Sequence, residues 1–232
     1  MPHTQHGLLE NADNVASLAE RASLHVRYSA GEMICQVGTY VAGIHFIRCG
    51  AVSNRVATLE SGSGRSCILG PGDLIGLEIL LGNGHALSMS QLRALTDVGL
   101  DFLSTDELRD LLAEDAAVAR DLIGRVASQY FRMQRLLDVS TSDEDVICDL
   151  LLQIATACGC TAETGRVTLP RSVDRTALCD LSGLSPRRLR RVLDDVEGLH
   201  IGNADVSFDP EDVRSRLQHC PGWVPAARAS LP

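Results

Sequence analysis

The chain has 232 residues, the length of about two ordinary domains. Its 45 % hydrophobic content supports a packed core and argues against disorder, while no apolar run reaches the roughly 18 residues of a membrane span. The formal charge is −9, every one of the 21 basic residues is arginine, and with aromatics at 3 % the core must be built from Leu, Val, Ile and Ala.

The opening segment, MPHTQHGLLENADN, has no basic start followed by an apolar stretch, so no secretory signal is expected and a cytoplasmic location is. The eight cysteines (35, 49, 67, 148, 158, 160, 179, 220) do not have the spacing of a disulfide framework. From about Leu24 to Leu103 the chain reads as short strands: HVRY, EMICQVG, YVAGIHFIRCGAV, NRVATLES, RSCILGPGDLIG and QLRALTDVGLDFL. Turn signals recur between them as SAGE, SGSG, GPGD and GNG. Closely spaced strands of this kind predict a barrel or a double-sheet roll. STDELRDLLAED then begins helical structure, with Ser104 as N-cap and Glu107 as its capping-box partner.

A long helix is predicted over about Asp115–Val139. Ala116, Ala119, Ile123, Val126, Tyr130, Met133 and Leu137 follow a 3, 4 alternation, a heptad seam. Leu122 and Leu136 add a second apolar edge, so the helix can serve both its own roll and a partner helix. A parallel homodimer is expected, with Ile123, Val126, Tyr130, Met133 and Leu137 at its interface. STSDED (140–145) breaks the pattern as a hinge with a helix N-cap, DVICDLLLQIATACG reads as a buried helix, and CTAETGRVTLPRS as a hairpin-like connector.

Residues 171–192, RSVDRTALCDLSGLSPRRLRRV, hold six arginines against two acids. A basic island on an acidic chain points to a polyanion. The island also has helix–turn–helix grammar. A first helix spans roughly Arg175–Leu181, and Gly183 sits where a tight turn needs positive φ. Ser185 reads as an N-cap and Pro186 as the first helical residue. In the second helix Leu189, Val192 and Leu193 face the core, which leaves Arg187, Arg188, Arg190 and Arg191 outward, able to reach phosphates and base edges in a major groove. Arg171, Arg175 and Arg190 are expected to position the domain on phosphates, while Arg187, Arg188 and Arg191 carry recognition. LHIGNADVSFDP follows, with a Gly202-Asn203 turn between short β-runs that fits a wing; the tail beyond Cys220 is expected to be irregular.

A β-roll, a long dimer helix and a C-terminal winged helix–turn–helix together resemble the CRP/FNR family of bacterial transcription regulators. The resemblance covers about residues 24–208. Its most specific pieces are YSAGEMICQVGTYVAGIHFIRCGAV (28–52), GPGDLIGLEILLGNG (70–84) and the helix–turn–helix (174–193), and Gly31, Gly38, Gly50, Gly72 and Gly76 fall where the family's roll places its turns. The fold class implied is α+β: a cyclic-nucleotide-binding-like roll (1–115), a dimerisation helix (116–140) and a winged helix–turn–helix (141–232). The function implied is that of a homodimeric regulator, not an enzyme. Its partners would be a second copy, double-stranded DNA with two-fold-related half-sites and RNA polymerase, with no membrane involved.

For the effector, the resemblance directs attention to Gly76, Leu77, Glu78, Leu87, Ser88, Phe131 and Arg132. Cyclic-nucleotide members of the family carry a Gly-Glu pair for the ribose and an Arg-Ser pair for the cyclic phosphate. Here those positions read Gly76-Leu77, with Glu78 displaced by one, and Leu87-Ser88. A phosphate buried without its cation is costly, so cyclic AMP is not the expected effector. Arg132 offers a cation from the helix side. The iron–sulfur type needs an N-terminal cysteine cluster, absent here because the first cysteine is Cys35, and no metal site is assigned. Cys158 and Cys160, with Cys148, form the one dense cysteine group; Cys148 and Cys179 read as small core residues. Haem ligation, as in the family's CO sensor, would pair an N-terminal proline, here Pro2 with His3 and His6 nearby, with a cysteine or histidine of the roll; DLIGLEILLG there has neither, His85 lies on the following loop, and the cofactor is left open. By alignment on Gly183, Arg187 stands where the better-known members have glutamate and Arg191 matches a later, guanine-contacting arginine, so their consensus half-site does not carry over. Rival readings are a ligand-binding module that regulates a partner protein, a haem or thiol redox sensor of the same family, and an enzyme or carrier built on the roll, for which no catalytic constellation is present.

Overall fold

In the computed structural model, residues 22, 24–56, 64–81, 86–137, 142–163, 165–196, 198–201 and 205–217 are described. The roll contains β1 (Leu24–Tyr28), β2 (Met33–Cys35), β3 (Tyr40–Val41), β4 (Gly43–Cys49), β5 (Val52–Val56), β6 (Ser66–Leu69), β7 (Leu74–Ile75), β8 (Ala86–Leu87), β9 (Ser90–Ala94) and β10 (Val98–Ser104), with a 3-10 helix at Leu77–Leu81. Two antiparallel four-stranded sheets form, in orders β1-β10-β4-β7 and β2-β9-β5-β6, and β3 pairs with β8. Alternation along the strands sends Ile47, Val52, Leu69, Leu92 and Leu100 into one shared core between the sheets. The turn glycines Gly31, Gly38, Gly50, Gly72 and Gly76 all have positive φ. At Gly76 the requirement is double, since a Cβ there would lie 2.5 Å from the Gly43 carbonyl oxygen.

Helix α1 (Thr105–Glu114) starts on the expected capping box. Ser104 Oγ accepts from the Glu107 amide at 3.3 Å, and the Glu107 carboxylate accepts from the Ser104 amide at 2.8 Å. Asp115 ends α1 and starts the long helix α2 (Ala116–Leu137), its carboxylate accepting from the amides of Ala117 (2.8 Å) and Val118 (3.2 Å). Val118 and Leu122 of α2 pack with Ile44, Phe46 and Leu74 of the roll. A polar stripe continues the grip. Arg125 Nη1 donates to the Gly72 carbonyl (2.8 Å), Gln129 exchanges hydrogen bonds with the backbone of Leu74 (3.3 and 2.9 Å), and Arg132 pairs with Asp73. Spaced 4 and 3 apart, these three residues share one face of the helix.

The C-terminal part comprises α3 (Asp143–Ala157), β11 (Ala162–Glu163), β12 (Arg166–Thr168), α4 (Arg175–Ser182), α5 (Pro186–Asp195), β13 (His200–Ile201), β14 (Val206–Phe208) and α6 (Pro210–Leu217). Its four strands form a sheet in the order β11-β12-β14-β13. The hairpin-like connector and the wing hairpin both form as expected, although the Gly202-Asn203 turn lies outside the described residues. Ile147, Leu151 and Ile154 of α3 meet Leu178, Leu189, Val192 and Phe208 in a common core. Helix α6, which periodicity does not announce, buries Val213 and Leu217 in the same core behind an Asp209 cap.

Roll and C-terminal part touch directly. Ile68 of β6 donates to Gln153 Oε1 of α3 at 3.1 Å, and Gln153 Nε2 donates to Asp149 at 2.6 Å. A Cβ at Gly70 would lie 2.7 Å from the Ala157 Cα, so only glycine allows the turn before β7 to approach the end of α3 this closely. Arg55 of β5 donates to the Asp180 carbonyl of α4.

Candidate DNA-binding face and effector region

The helix–turn–helix is set by local chemistry. Asp174 caps α4, its carboxylate accepting from the Ala177 amide at 2.8 Å. Gly183 ends α4 in the left-handed region at φ 71°, a conformation that costs other residues about 1–2 kcal/mol. Ser182, buried in the turn, donates from its hydroxyl to the Leu178 carbonyl (2.6 Å) and accepts from the Leu184 amide (3.2 Å). Ser185 then caps α5, accepting from the Arg188 amide at 3.4 Å, with Pro186 in the first turn. Leu189 and Val192 are buried and Leu193 half-buried, while Arg187, Arg188, Arg190 and Arg191 are exposed. Arg171, Arg175 and Ser185 are exposed too. All seven residues expected to touch DNA therefore lie at the surface, six of them arginines. Arg188 differs from its neighbours on α5 in being held by the Asp143 carboxylate.

In the region expected to take an effector, polar groups already bond one another. Glu78, on the 3-10 helix after Gly76, turns its carboxylate onto the β8–β9 link, accepts from the Met89 amide (3.1 Å) and lies 3.5 Å from the Ser88 oxygen. The Ser88 hydroxyl donates to the nearer Ser90 carbonyl at 3.0 Å. Leu87 is 60 % exposed at the position where the resemblance places the phosphate-binding arginine. Leu77 packs against the α2 side of the roll. Phe131 is exposed and makes an edge contact with Tyr130, ring centroids 5.9 Å apart.

Arg132 requires a correction. It is not a spare cation for an anionic ligand, because Asp73 of the GPGD turn pairs with its Nη2. Burial opposes the Arg132 charge, but Asp73 more than offsets it and holds the guanidinium above its ordinary pKa. Its Nε is buried without a hydrogen-bond partner.

The residues expected at a dimer seam divide in two. Ile123 and Tyr130 are exposed at 69 % and 56 %. Val126 is half-buried against the Ile44–Phe46 cluster and Met133 against the Ile47–Val52 cluster, so both pack on the roll. A 3, 4 alternation marks a stripe wide enough for two neighbours and does not say which edge meets which. The side chain of Leu137 lies outside the described residues.

Among the described residues, no group of three or more His, Cys, Asp and Glu side chains is gathered as a metal site. Pro2, His3, His6, His85 and Cys220 fall outside them. Cys148 is buried, and burial pushes its thiol up to about 12, as expected of a core residue. Cys67 behaves likewise, also at about 12 through burial. Cys179 is half-buried against the same core as Cys148. Cys158 and Cys160 share a hydrogen bond that raises Cys158 and lowers Cys160 to about 7. A further feature is a cavity of about 560 Å3 between the outer face of the β2-β9-β5-β6 sheet and α4, lined by Arg55, Arg93, Ser53, Gln91 and Asp180 among others.

Residues 25–115 match the cyclic nucleotide-binding domain family. No curated protein is detectably similar to the chain in sequence. Among solved structures, the chain is similar to CLP of Xanthomonas campestris, a c-di-GMP-responsive global regulator, with TM-score 0.67 and 19 % identity over 85 % of this chain and 98 % of that one. It is similar to FixK2 of Bradyrhizobium japonicum, with TM-score 0.64 and 18 % identity over 83 % and 96 %. A CRP/FNR-family transcriptional regulator of Thermus thermophilus gives TM-score 0.62 and 20 % identity over 84 % and 98 %. The chain therefore carries a cyclic nucleotide-binding-type domain over residues 25–115 and, along nearly its whole described length, the fold of the CRP/FNR transcription regulators.

Proposed function

We propose that this protein is a homodimeric, sequence-specific DNA-binding regulator whose effector is not cyclic AMP. The observation that carries the reading is the face of α5. Four exposed arginines stand over a buried Leu189–Val192 edge, presented by a left-handed glycine and a Ser-Pro start, on a chain of net charge −9. A solvated surface helix on an acidic chain has no need of such one-sided charge. In this reading residues 1–115 sense, 116–140 pair two copies, and 141–232 bind DNA; RNA polymerase is the protein partner, and no catalytic step is assigned.

Glu78 stands against cyclic AMP. The Met89 amide donates to its carboxylate, which lies 3.5 Å from the Ser88 oxygen, so a phosphate brought there would meet a like charge and find Leu87 in place of a cation. Calorimetry with cyclic AMP tests this half of the reading; tight saturable binding would overturn it. Selection of duplexes from a random pool by the full-length protein tests the other half. Enriched sites should be two-fold related, with half-sites about one helical turn apart. No enrichment with reduced, oxidised or ligand-supplemented protein would sink it.

A further inference from the structure

We propose that Cys158 and Cys160 form a dithiol site that reacts with hydroperoxides and closes into a disulfide within one chain. The end of α3 builds the pair. Cys158 caps the helix, its amide donating to the Ile154 carbonyl at 2.9 Å. Gly159 turns the chain back at φ 63°, and the Cys160 amide donates to the Ala155 carbonyl at 2.9 Å. This one-residue turn sets the two cysteines side by side at the end of α3. Both are half-buried rather than sealed, and the space a Cβ on Gly159 would occupy is open, with no atom within 4 Å. A small oxidant can therefore reach them. Cys67 and Cys148 offer no such access: both are buried, with thiols held protonated.

The chemistry divides between the two sulfurs. The neighbouring thiol raises Cys158 and lowers Cys160 to about 7, which favours the Cys160 thiolate at neutral pH and keeps Cys158 protonated. The Cys160 thiolate attacks a peroxide oxygen, the O–O bond breaks, and hydroxide leaves and is protonated to water (an alcohol from an organic peroxide). Cys160 is now a sulfenic acid, oxidised by two electrons, and the peroxide is reduced. The Cys158 sulfur then attacks the Cys160 sulfur. An S–S bond forms, the S–O bond breaks, and the hydroxyl leaves as water with the proton from Cys158. The site lies directly after Ala157, the residue on which Gly70 of the roll closes, so the disulfide would form at the seam between the roll and the C-terminal part.

The test is hydrogen peroxide titration of the full-length reduced protein, followed by thiol alkylation and peptide mass mapping. Expected is loss of two thiols from the peptide containing residues 158–160, which becomes lighter by two hydrogens and is restored by dithiothreitol. It should react about tenfold faster than Cys35, Cys49 or Cys220, with a rate that rises through about pH 7. Cys158→Ala should stop at a dimedone-trappable sulfenic acid on Cys160 and move the midpoint of the pH profile upward. Cys160→Ala should lose the fast phase. The proposal is overturned if all accessible thiols react at one rate, if the bridge forms elsewhere or between chains, or if Cys158→Ala leaves the pH profile unmoved. The wild-type mass map decides the matter even if a variant misfolds.

Discussion

Arg188 on the candidate recognition helix grips Asp143, the first residue of α3, with two parallel bonds: Nε to Oδ2 at 2.8 Å and Nη2 to Oδ1 at 2.6 Å. The pair ties the base of the hinge-proximal helix to the face that would meet DNA. Its arginine is 57 % exposed, so it adds no more than about 1 kcal/mol to stability. In the proposed DNA complex the pair would withhold one cation from the DNA. Asp143→Asn should change thermal stability little and raise affinity for duplex DNA, steepening the salt dependence by about one unit of log–log slope. If the slope is unchanged while the variant folds normally, Arg188 does not reach DNA.

The remaining arginines divide by position. Arg191, nearly two turns beyond the Ser185 cap, is expected to read a base edge, whereas Arg175 at the start of α4 is expected to meet the DNA backbone. Arg191→Ala should cost about 1–3 kcal/mol on the best selected site and relax preference at one base pair. Arg175→Ala should weaken all sequences alike and lower the salt slope by about one. Titrations of both variants against the selected site and a scrambled duplex separate the two roles; equal losses on both duplexes for Arg191→Ala would remove it from recognition.

Features that depend on short-range chemistry were legible in the sequence. Gly183, the Ser185-Pro186 start and the Ser104–Glu107 box each act within four residues, and each forms as expected. Features that need a distant partner were not. Glu78 finds Ser88 and Met89 across ten and eleven residues, and Arg188 finds Asp143 across 45. Gln129 sits amid an apolar stripe, yet its partner is a strand backbone 55 residues away, which no periodicity reveals. That Val126 and Met133 pack on the roll is hidden for the same reason: spacing finds the stripe and leaves its neighbour undetermined. The turn role of Ser182 and the Asp209-Pro210 start of α6 were missed although both are local signals.

Asp73 and Arg132 form a partly buried pair that fastens α2 to the turn before β7, with side chains 20 % and 31 % exposed. Removing only the acid strands a guanidinium whose Nε already lacks a partner. Asp73→Asn should therefore destabilise by about 1–3 kcal/mol in urea unfolding. Arg132→Met, which removes the charge and keeps the packing stem, should leave Asp73 nearer water and cost less. A larger loss for Arg132→Met than for Asp73→Asn would show that Arg132 acts through something other than this pair.

His45 of β4 faces Phe102 of β10 with ring centroids 4.8 Å apart, and burial lowers its pKa below the usual 6.5. The folded protein thus resists a proton that the unfolded chain accepts. Between the folded value and 6.5 the unfolded state binds more protons, so stability is full above about 6.5 and falls as pH drops toward the folded value. His45→Gln, which cannot ionise, should flatten this part of the stability–pH curve. A wild-type and a variant curve with the same acid slope would show that His45 does not contribute.

Two copies of the chain are expected to meet along Ile123 and Tyr130, seven residues apart and so on one stripe of α2, with Phe131 beside them. Burying a large apolar side chain that is now exposed contributes about 1.5–3 kcal/mol, and a two-fold interface counts each residue twice. Ile123→Glu with Tyr130→Glu opposes this burial with charges in a desolvated seam while touching nothing in the roll core. Sedimentation should show a monomer, and far-UV circular dichroism should be unchanged. Val126→Glu with Met133→Glu should behave differently, lowering the melting temperature of the roll itself, because both side chains pack into its clusters. A dimer of unchanged mass in the Ile123–Tyr130 variant would place the interface on another face of the molecule.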